Sequence, residues 1–401
     1  MGSHYYKHCR ADRRFTSTQN DPHFDYGSVW LVHDWDQRRT ISALQKCIDS
    51  LPTDTVLLSI SDDGAVLSSS SDALDDASSI PFYPSRTDFP PNLATVRRHD
   101  LTEVDRLGLQ VDLTTYQPCR GKTRLVVFKY YIIKTNVAIF WHEANCVLRI
   151  PRHPNIVPFD ALVVDAVEGN DKVVGFTTRY VPGGTFSENK DRIFKLKYLK
   201  QLINAVDYLN LRLGIVHGDI CPWNLLIDAE TDSIQIFDFN CAAKLGWEGD
   251  RANRCEFAYE EDCNDVKFVV FTLYEIITRE FEFRREFYPH ELKIPVAEYR
   301  HILTEWVSKR KKIDKEINHF TKTPEPLDWP PLPDSLALDL DSRPIRRPAA
   351  FRVTLMRLGK DFLKWQRPPT RDTPPPKGWR LLATGEVVRD NEEGSSIAAE
   401  T

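Results

Sequence analysis

Three polar side chains in one short stretch stand at a spacing suited to handling a phosphate and its metal. Asp219 and Asn224 lie five positions apart on a loop within GIVHGDICPWNLLID (214–228), and Asp238 follows a second strand in IQIFDFN (234–240). In-line phosphoryl transfer asks a protein for positioning and charge neutralisation more than for covalent chemistry. One carboxylate must face the attacking hydroxyl. A second carboxylate and an amide oxygen suit Mg²⁺, a hard cation that takes oxygen ligands. For either motif alone, a turn Asp and a capping Asn would be the plainer explanation.

Both motifs together, in this order, resemble the protein kinase superfamily. His217-Gly218-Asp219 is similar to its His-Arg-Asp triplet, Asn224 to the loop Asn, and Asp238-Phe239-Asn240 to Asp-Phe-Gly. The resemblance implies Asp219 as catalytic base, Asn224 and Asp238 as metal ligands, and ATP with Mg²⁺ as cofactors. Val127-Phe128-Lys129 looks like the strand whose lysine holds the α/β-phosphates, and Glu143, ten residues before the family-like turn HPNIVPF (153–159), like its acidic partner. Thr178 stands at the gatekeeper position, Arg179, Tyr180 and Val181 at the adenine-binding hinge, and Val127 on the nucleotide's side of the strand.

The elements that must position these groups follow from pattern. Alternation in TRLVVFKYYII puts Leu125, Val127, Lys129 and Tyr131 on one strand face, and Asn136–Leu148 reads as the helix carrying Glu143. Lys134 is a rival for the lysine, too near Glu143 to sit on a separate strand. A snorkelling surface lysine is the plainer alternative for Lys129 alone. Leu101–Leu107 and Val111–Gln117 read as two strands, and Ala161–Ala166 with Lys172–Arg179 as a hairpin across 169–171. Leu199, Leu202, Ile203, Val206 and Leu209 recur at helical spacing behind the loop. Asp265 opens a helix apolar on nearly every face, which reads as central. Asp265 is either a plain N-cap or, as in the family, a tie to the catalytic-loop backbone.

Several positions depart from the family. Gly108 is the lone glycine where a glycine-rich loop would cover the phosphates, and Leu109, Val111 and Asp112 obstruct close backbone approach. Gly218 replaces an Arg that grips a phosphorylated activation loop. Cys221 replaces a catalytic-loop Lys, and is either a reactive thiol or a buried inert one. Asn240 replaces the Gly after Asp238-Phe239, and tolerates left-handed backbone better than most residues. Asp238 to Asp265 is short, with no Ala-Pro-Glu between them.

The fold expected is α+β and bilobal, kinase-like, with a small β-rich lobe at 96–182 and a mainly helical lobe at 183–320. Residues 1–95 form an α+β extension and a Ser/Pro-rich linker, and 321–401 a proline-rich tail, partly disordered. Strands are expected at Ser28–His33, Thr55–Ile60 and Ala65–Leu67, with a helix at Ile41–Ile48 and a turn at Asp63-Gly64. Residues 1–25 are expected to be loose, and Ser68–Asn92 to bury no core. Later helices are expected at Pro295–Phe320 and Phe351–Trp365, a strand at Arg380–Val388, and an anchor at Trp329.

Composition narrows the function classes. A net charge of −5 with mixed signs implies no nucleic-acid surface. No apolar run reaches bilayer length. The start carries no apolar segment of a secretory leader, and Tyr6 stands where myristoylation wants Ser or Thr. Eight scattered cysteines with no C-x-x-C pair fit free thiols in a reducing compartment. The expected location is cytoplasmic. A nuclear alternative rests on Lys309–Lys312, for which a solvated helix end is the plainer reading. Three functions remain: an atypical ATP-dependent kinase acting on Ser/Thr of a protein substrate, a pseudokinase that binds or scaffolds a protein partner, and a small-molecule phosphotransferase of the aminoglycoside or choline kinase type. In detail the chain looks most like a divergent group of kinase-like proteins known from fungal genomes, with a Trp-Pro-Pro tail at Trp329–Pro331.

Overall fold

The computed structural model describes residues 7–12, 29–32, 46–47, 51, 55, 57–61, 65–72, 74–75, 79–81, 83–108, 110–118, 121–131, 136–189, 192–245, 265–280, 292–316, 325–328, 330, 349–363, 379–381 and 387–389. Asp63-Gly64, Leu109, Lys134, most of Ile41–Ile48, the segment 246–264 and Trp329 lie outside them.

The N-terminal strands are β1 (Lys7–Asp12), β2 (Val29–Val32), β3 (Leu57–Ile60) and β4 (Val66–Ser70), an antiparallel sheet in the order β2-β1-β3-β4. The expectation that residues 1–25 are loose is corrected at β1, which pairs with both β2 and β3. Its apolar signal, Cys9 and Ala11, is too weak to announce a strand; the partners on both sides supply the backbone hydrogen bonds.

Between the sheets runs β5 (Ser79–Pro81), and here the linker reading of Ser68–Asn92 is also corrected. Tyr83 and Phe89 are buried, at 7% and 4% exposure. Ser85 and Asp88 close a reciprocal cap around the single turn Arg86–Asp88, and the Arg86 guanidinium donates to the carbonyls of Phe89, Pro91 and Leu93. Low overall hydrophobicity concealed two aromatics that dock on the small lobe.

The small lobe is built on a six-stranded sheet from β6 (Thr95–Arg97), β7 (Thr102–Gly108), β8 (Val111–Tyr116) and β9 (Arg124–Tyr130), then, after helix α1 (Asn136–Val147), β10 (Phe159–Val167) and β11 (Asn170–Arg179). The order is β6-β10-β11-β9-β8-β7. Helix α1 packs Phe140, Trp141 and Ala144 against Leu162, Val164, Val173 and Phe176. The turn joining β10 to β11 falls at Glu168-Gly169, both at positive φ, rather than at 169–171, because Val167 already pairs with Asn170.

The mainly helical lobe contains α2 (Leu196–Asp207), the two-stranded pair of β12 (Ile215–Val216) with β15 (Ala243–Lys244), the short hairpin of β13 (Leu225–Asp228) with β14 (Ser233–Ile236), α3 (Asp265–Thr278) and α4 (Ala297–Glu316). Leu199, Leu202, Val206 and Leu209 interlock with Val269, Leu273, Ile276 and Trp306. On α4 the basic run is not a continuous solvated face. Arg310 is 3% exposed and donates to Asp207 and Asn210.

The lobes meet through HPNIVPF. Its backbone pairs with β14, Val157 N donating to Ile236 O and Ile236 N to Asn155 O, while Asn155 Nδ2 donates to Ile234 O. The tail then follows both lobes. Leu327 N donates to Leu213 O and its side chain joins the large core. Farther on, β16 (Ala349–Phe351) pairs antiparallel with β5, followed by α5 (Arg352–Arg357). Helix α5 is shorter than expected and is followed by Gly359 at φ +60. Leu363 packs with Phe128, Tyr130, Val163 and Val174, on the sheet face opposite Lys129. The single strand expected at Arg380–Val388 is a pair, β17 (Trp379–Leu381) and β18 (Val387–Arg389).

Candidate active site

Helix α3 fixes the loop that carries Asp219. The Asp265 carboxylate is fully buried and accepts from His217 N (2.8 Å), Gly218 N (3.0 Å) and Asn210 Nδ2 (2.9 Å). About two helical turns farther, Thr272 Oγ1 donates to Ile220 O at 2.9 Å. His217 bridges the other side: its Nε2 donates to Phe237 O, its Nδ1 accepts from Asp219 N, and its ring packs on Phe239. Asp219 is thereby held at both backbone neighbours.

Asn224 braces Asp219 from within the loop. Its Nδ2 donates to Asp219 O at 2.9 Å and to Asp219 Oδ2 at 2.7 Å. Cys221 turns inward, fully buried, with Sγ 3.4 Å from Asp219 O. A thiol without solvent access fits the inert alternative.

Asp238 adopts the left-handed region (φ 66°, ψ 73°), a conformation costly for a non-glycine residue and common at functional sites. Its turn explains Gly218. That glycine sits at φ +79°, and a Cβ there would stand 2.2 Å from Cys241 O. The arginine of the family's triplet has no room in this backbone arrangement. Gly218→Ala is expected to destabilise the protein by about 2 kcal/mol, combining left-handed strain with the contact, read as a lower urea midpoint. An unchanged midpoint would contradict this account.

The small lobe supplies the cation. Lys129 Nζ lies 2.8 Å from Glu143 Oε1 and 2.5 Å from Asp238 Oδ1, so one ammonium joins strand β9, helix α1 and the Asp238 turn. Burial disfavours the charge on Lys129, but the Asp238 and Glu143 carboxylates outweigh it and raise the amine well above its usual range. Burial also works against the Asp238 charge, and Lys129 overcomes it, holding that carboxyl below its usual range. Glu143 is raised by burial despite Lys129. Tyr131 Oη donates to Glu143 Oε2 at 2.5 Å. That hydroxyl was not singled out from sequence, where Tyr131 read only as a residue on the Lys129 face.

Strand register puts Val127 opposite Thr178 and Lys129 opposite Phe176, so Val127, Lys129 and Thr178 share one face. At the hinge, Arg179 is committed to the large lobe, with Nη2 2.7 Å from Asp228 Oδ2, while Tyr180 is half-buried and Val181 buried. Gly108 pairs with Val111, so β7 and β8 are joined by only two residues, Leu109 and Gln110. Gln110 sits at φ 61°, buried, with its Nε2 lacking a hydrogen-bond partner.

Magnesium–ATP fits the donor set in part. Two carboxylates and an amide offer hard oxygens; among the described residues no cluster of three His, Cys, Asp or Glu side chains assembles. The orphaned Gln110 donor at the hairpin, beside the Val111–Lys129 pair, leaves a polar group for a ligand to satisfy.

Helix α1 also contacts the segment after Asp238, His142 Nε2 donating to Ala242 O. Burial holds this imidazole down to about 4 from 6.5, the Ala242 carbonyl opposing and Lys244 adding to the effect. Because the folded state refuses a proton that the unfolded chain accepts, stability falls as pH drops from 6.5 toward 4. The effect is at most about 3 kcal/mol. His142→Gln, which keeps a donor, is expected to flatten the decline in urea midpoint between pH 7 and pH 5. The difference between the two proteins isolates His142 from Glu143, whose raised carboxyl acts in the opposite direction. Equal slopes would contradict it.

Comparison with known proteins points to a protein kinase domain. A model of the protein kinase domain matches residues 120–261. The chain is 40% identical over 109 residues to CBL-interacting serine/threonine-protein kinase 16 of Arabidopsis thaliana, covering 26% of this chain and 22% of that protein. It is 32% identical over 121 residues to CBL-interacting protein kinase 15 of Oryza sativa subsp. japonica, covering 29% and 26%. It is 35% identical over 109 residues to Glycogen synthase kinase 1 of Pyricularia oryzae, covering 25% and 27%. The matched stretches thus span about a quarter of each curated relative. On the matched domain and these relatives, residues 120–261 form a protein kinase domain, which places that part of the chain in the protein kinase superfamily.

Proposed function

We propose that the chain is an ATP-dependent protein kinase that phosphorylates Ser/Thr hydroxyls of a protein substrate. The observation that carries this reading is the Lys129 ammonium shared between Glu143 and Asp238, in a fold that also braces Asp219 by Asn224. Bound Mg²⁺–ATP supplies the phosphoryl donor and neutralises its charge. Asn224 and Asp238 are the residues that would hold the metal, and Lys129 the phosphates, with Glu143 keeping Lys129 in place. Asp219 accepts the proton of the substrate hydroxyl. Val127 and Thr178 face the base, and the backbone of Arg179–Val181 borders it. The relatives are protein kinases by name, which favours a protein substrate over a small alcohol or amine.

A second reading, a pseudokinase that binds a protein partner, is favoured by the two-residue hairpin after Gly108, which leaves no glycine-rich loop to close over phosphates. Nucleotide binding separates the two. A rise in unfolding temperature with millimolar ATP and Mg²⁺ is expected, and Lys129→Ala and Asp238→Ala are each expected to abolish it. No rise in the unmodified protein would leave the binding-module reading.

A further inference from the structure

Glu143 has two carboxylate oxygens and is 2% exposed, so each oxygen depends on a protein donor. Oε1 takes Lys129 and Oε2 takes the Tyr131 hydroxyl. Tyr131 is itself fastened from outside the two-lobe site, because its carbonyl accepts from Tyr83 Oη at 2.5 Å. Tyr83 lies on a pinned segment. Val173 N donates to Pro84 O, Ser85 bridges Lys172, and Phe89 packs on Trp141 of α1 at 5.0 Å between ring centroids. The tail backs this segment, with β16 paired to β5 and Leu363 packed in the same cluster as Tyr83.

We infer that Tyr131 is a positioning residue that orients Glu143 toward Lys129, and that the strap made of residues 79–81, 83–89 and 349–363 holds Tyr131 for that task. A buried carboxylate oxygen deprived of its donor is costly. Without the hydroxyl, Glu143 turns or α1 shifts to satisfy it, and the Lys129 contact loosens. The strap thereby links segments on either side of the kinase-like lobes to the geometry of the site. The consequence for catalysis rests on the kinase reading above; the placement of Glu143 does not.

Tyr131→Phe removes the hydroxyl alone and keeps the carbonyl that Tyr83 grips. In the ligand-free full chain, amide exchange across 136–147 is expected to quicken about tenfold, the size of one charge-assisted hydrogen bond, with α3 unchanged. In a Glu143→Gln background the same substitution is expected to add less than about twofold, because the two groups act as one unit. Tyr83→Phe is expected to shift α1 in the same direction by about threefold. The dissociation constant for Mg²⁺–ADP is expected to rise at least about threefold in Tyr131→Phe, as a loosened Lys129 loses phosphate contact. Unchanged exchange in α1, or an equal increase with and without the Glu143→Gln change, would overturn the inference. Should Tyr131→Phe fail to fold, the Tyr83→Phe pair with and without Glu143→Gln decides by the same comparison. If the unmodified protein binds no nucleotide, the kinase reading fails while the exchange results still decide this one.

Discussion

Asp219→Asn is expected to lower phosphate transfer to a mixed Ser/Thr peptide library by about 10²–10⁴-fold, the usual contribution of a positioned general base. The local geometry makes the substitution clean. Asp219 Oδ2 accepts from Asn224 Nδ2, and the backbone carbonyl accepts from the same amide. An asparagine can keep the first bond by presenting its own carbonyl oxygen there. Its amino group then occupies the remaining position, where it cannot take a proton. The fold around it, secured by Asp265 and His217, is left intact, so the nucleotide-induced rise in unfolding temperature is expected to persist. Initial rates with labelled ATP measure the loss. Equal, trace-level incorporation in both proteins would point to the binding module, and transfer to small alcohols or amines but not to peptides would point to a small-molecule phosphotransferase.

The proximity of Lys129 and Glu143 could be read from the chain because local and non-local signals agreed. Strand alternation set the face of Lys129, and the resemblance to protein kinases, carried by HPNIVPF, marked Glu143 on the candidate helix as its partner. The tie from Asp265 to the loop was legible only as one of two roles, since a buried helix start and a capping carboxylate share the same sequence. The Tyr131–Glu143 bond was not legible. A tyrosine two positions after a lysine on a buried strand looks like core, and only the folded chain brings its hydroxyl against a carboxylate. Nor was the reason for Gly218, because the constraint comes from Cys241, a residue twenty-three positions later whose carbonyl closes on it.

The strap was missed for a related cause. The average composition of Ser68–Asn92 is polar, and averages hide single aromatics. Tyr83 and Phe89 dock because the small lobe presents Tyr130 and Trp141 to them. Their burial depends on partners such as Tyr130 and Trp141, 47 positions beyond Tyr83 and 52 beyond Phe89, which no window over the segment itself contains. The same holds for Leu363, whose cluster combines residues of β9, β10 and β11. Segments of low hydrophobicity on either side of the two lobes thus join the packing that supports the site.

Asp265→Ala is expected to cost about 3–5 kcal/mol, since it strips the buried amides of His217 and Gly218 and the Asn210 side chain of a shared acceptor. Asn210 Nδ2 retains Ile215 O, which tempers its share. For a domain of ordinary stability this is a large fraction of the total. The two roles open to Asp265 predict different rescues. If it served only as an N-cap, Asp265→Ser would restore most of the loss, because serine caps about as well as aspartate. Serine, however, has one oxygen on a shorter arm and cannot accept from His217 N and Gly218 N together as the carboxylate does through Oδ2 and Oδ1. Asp265→Ser is therefore expected to recover no more than about 1 kcal/mol, while Asp265→Asn, with one acceptor of the right reach, recovers more. Urea midpoints for the three variants order the roles. A serine variant matching the unmodified protein would assign Asp265 to the helix alone and leave the loop held by His217 and Thr272.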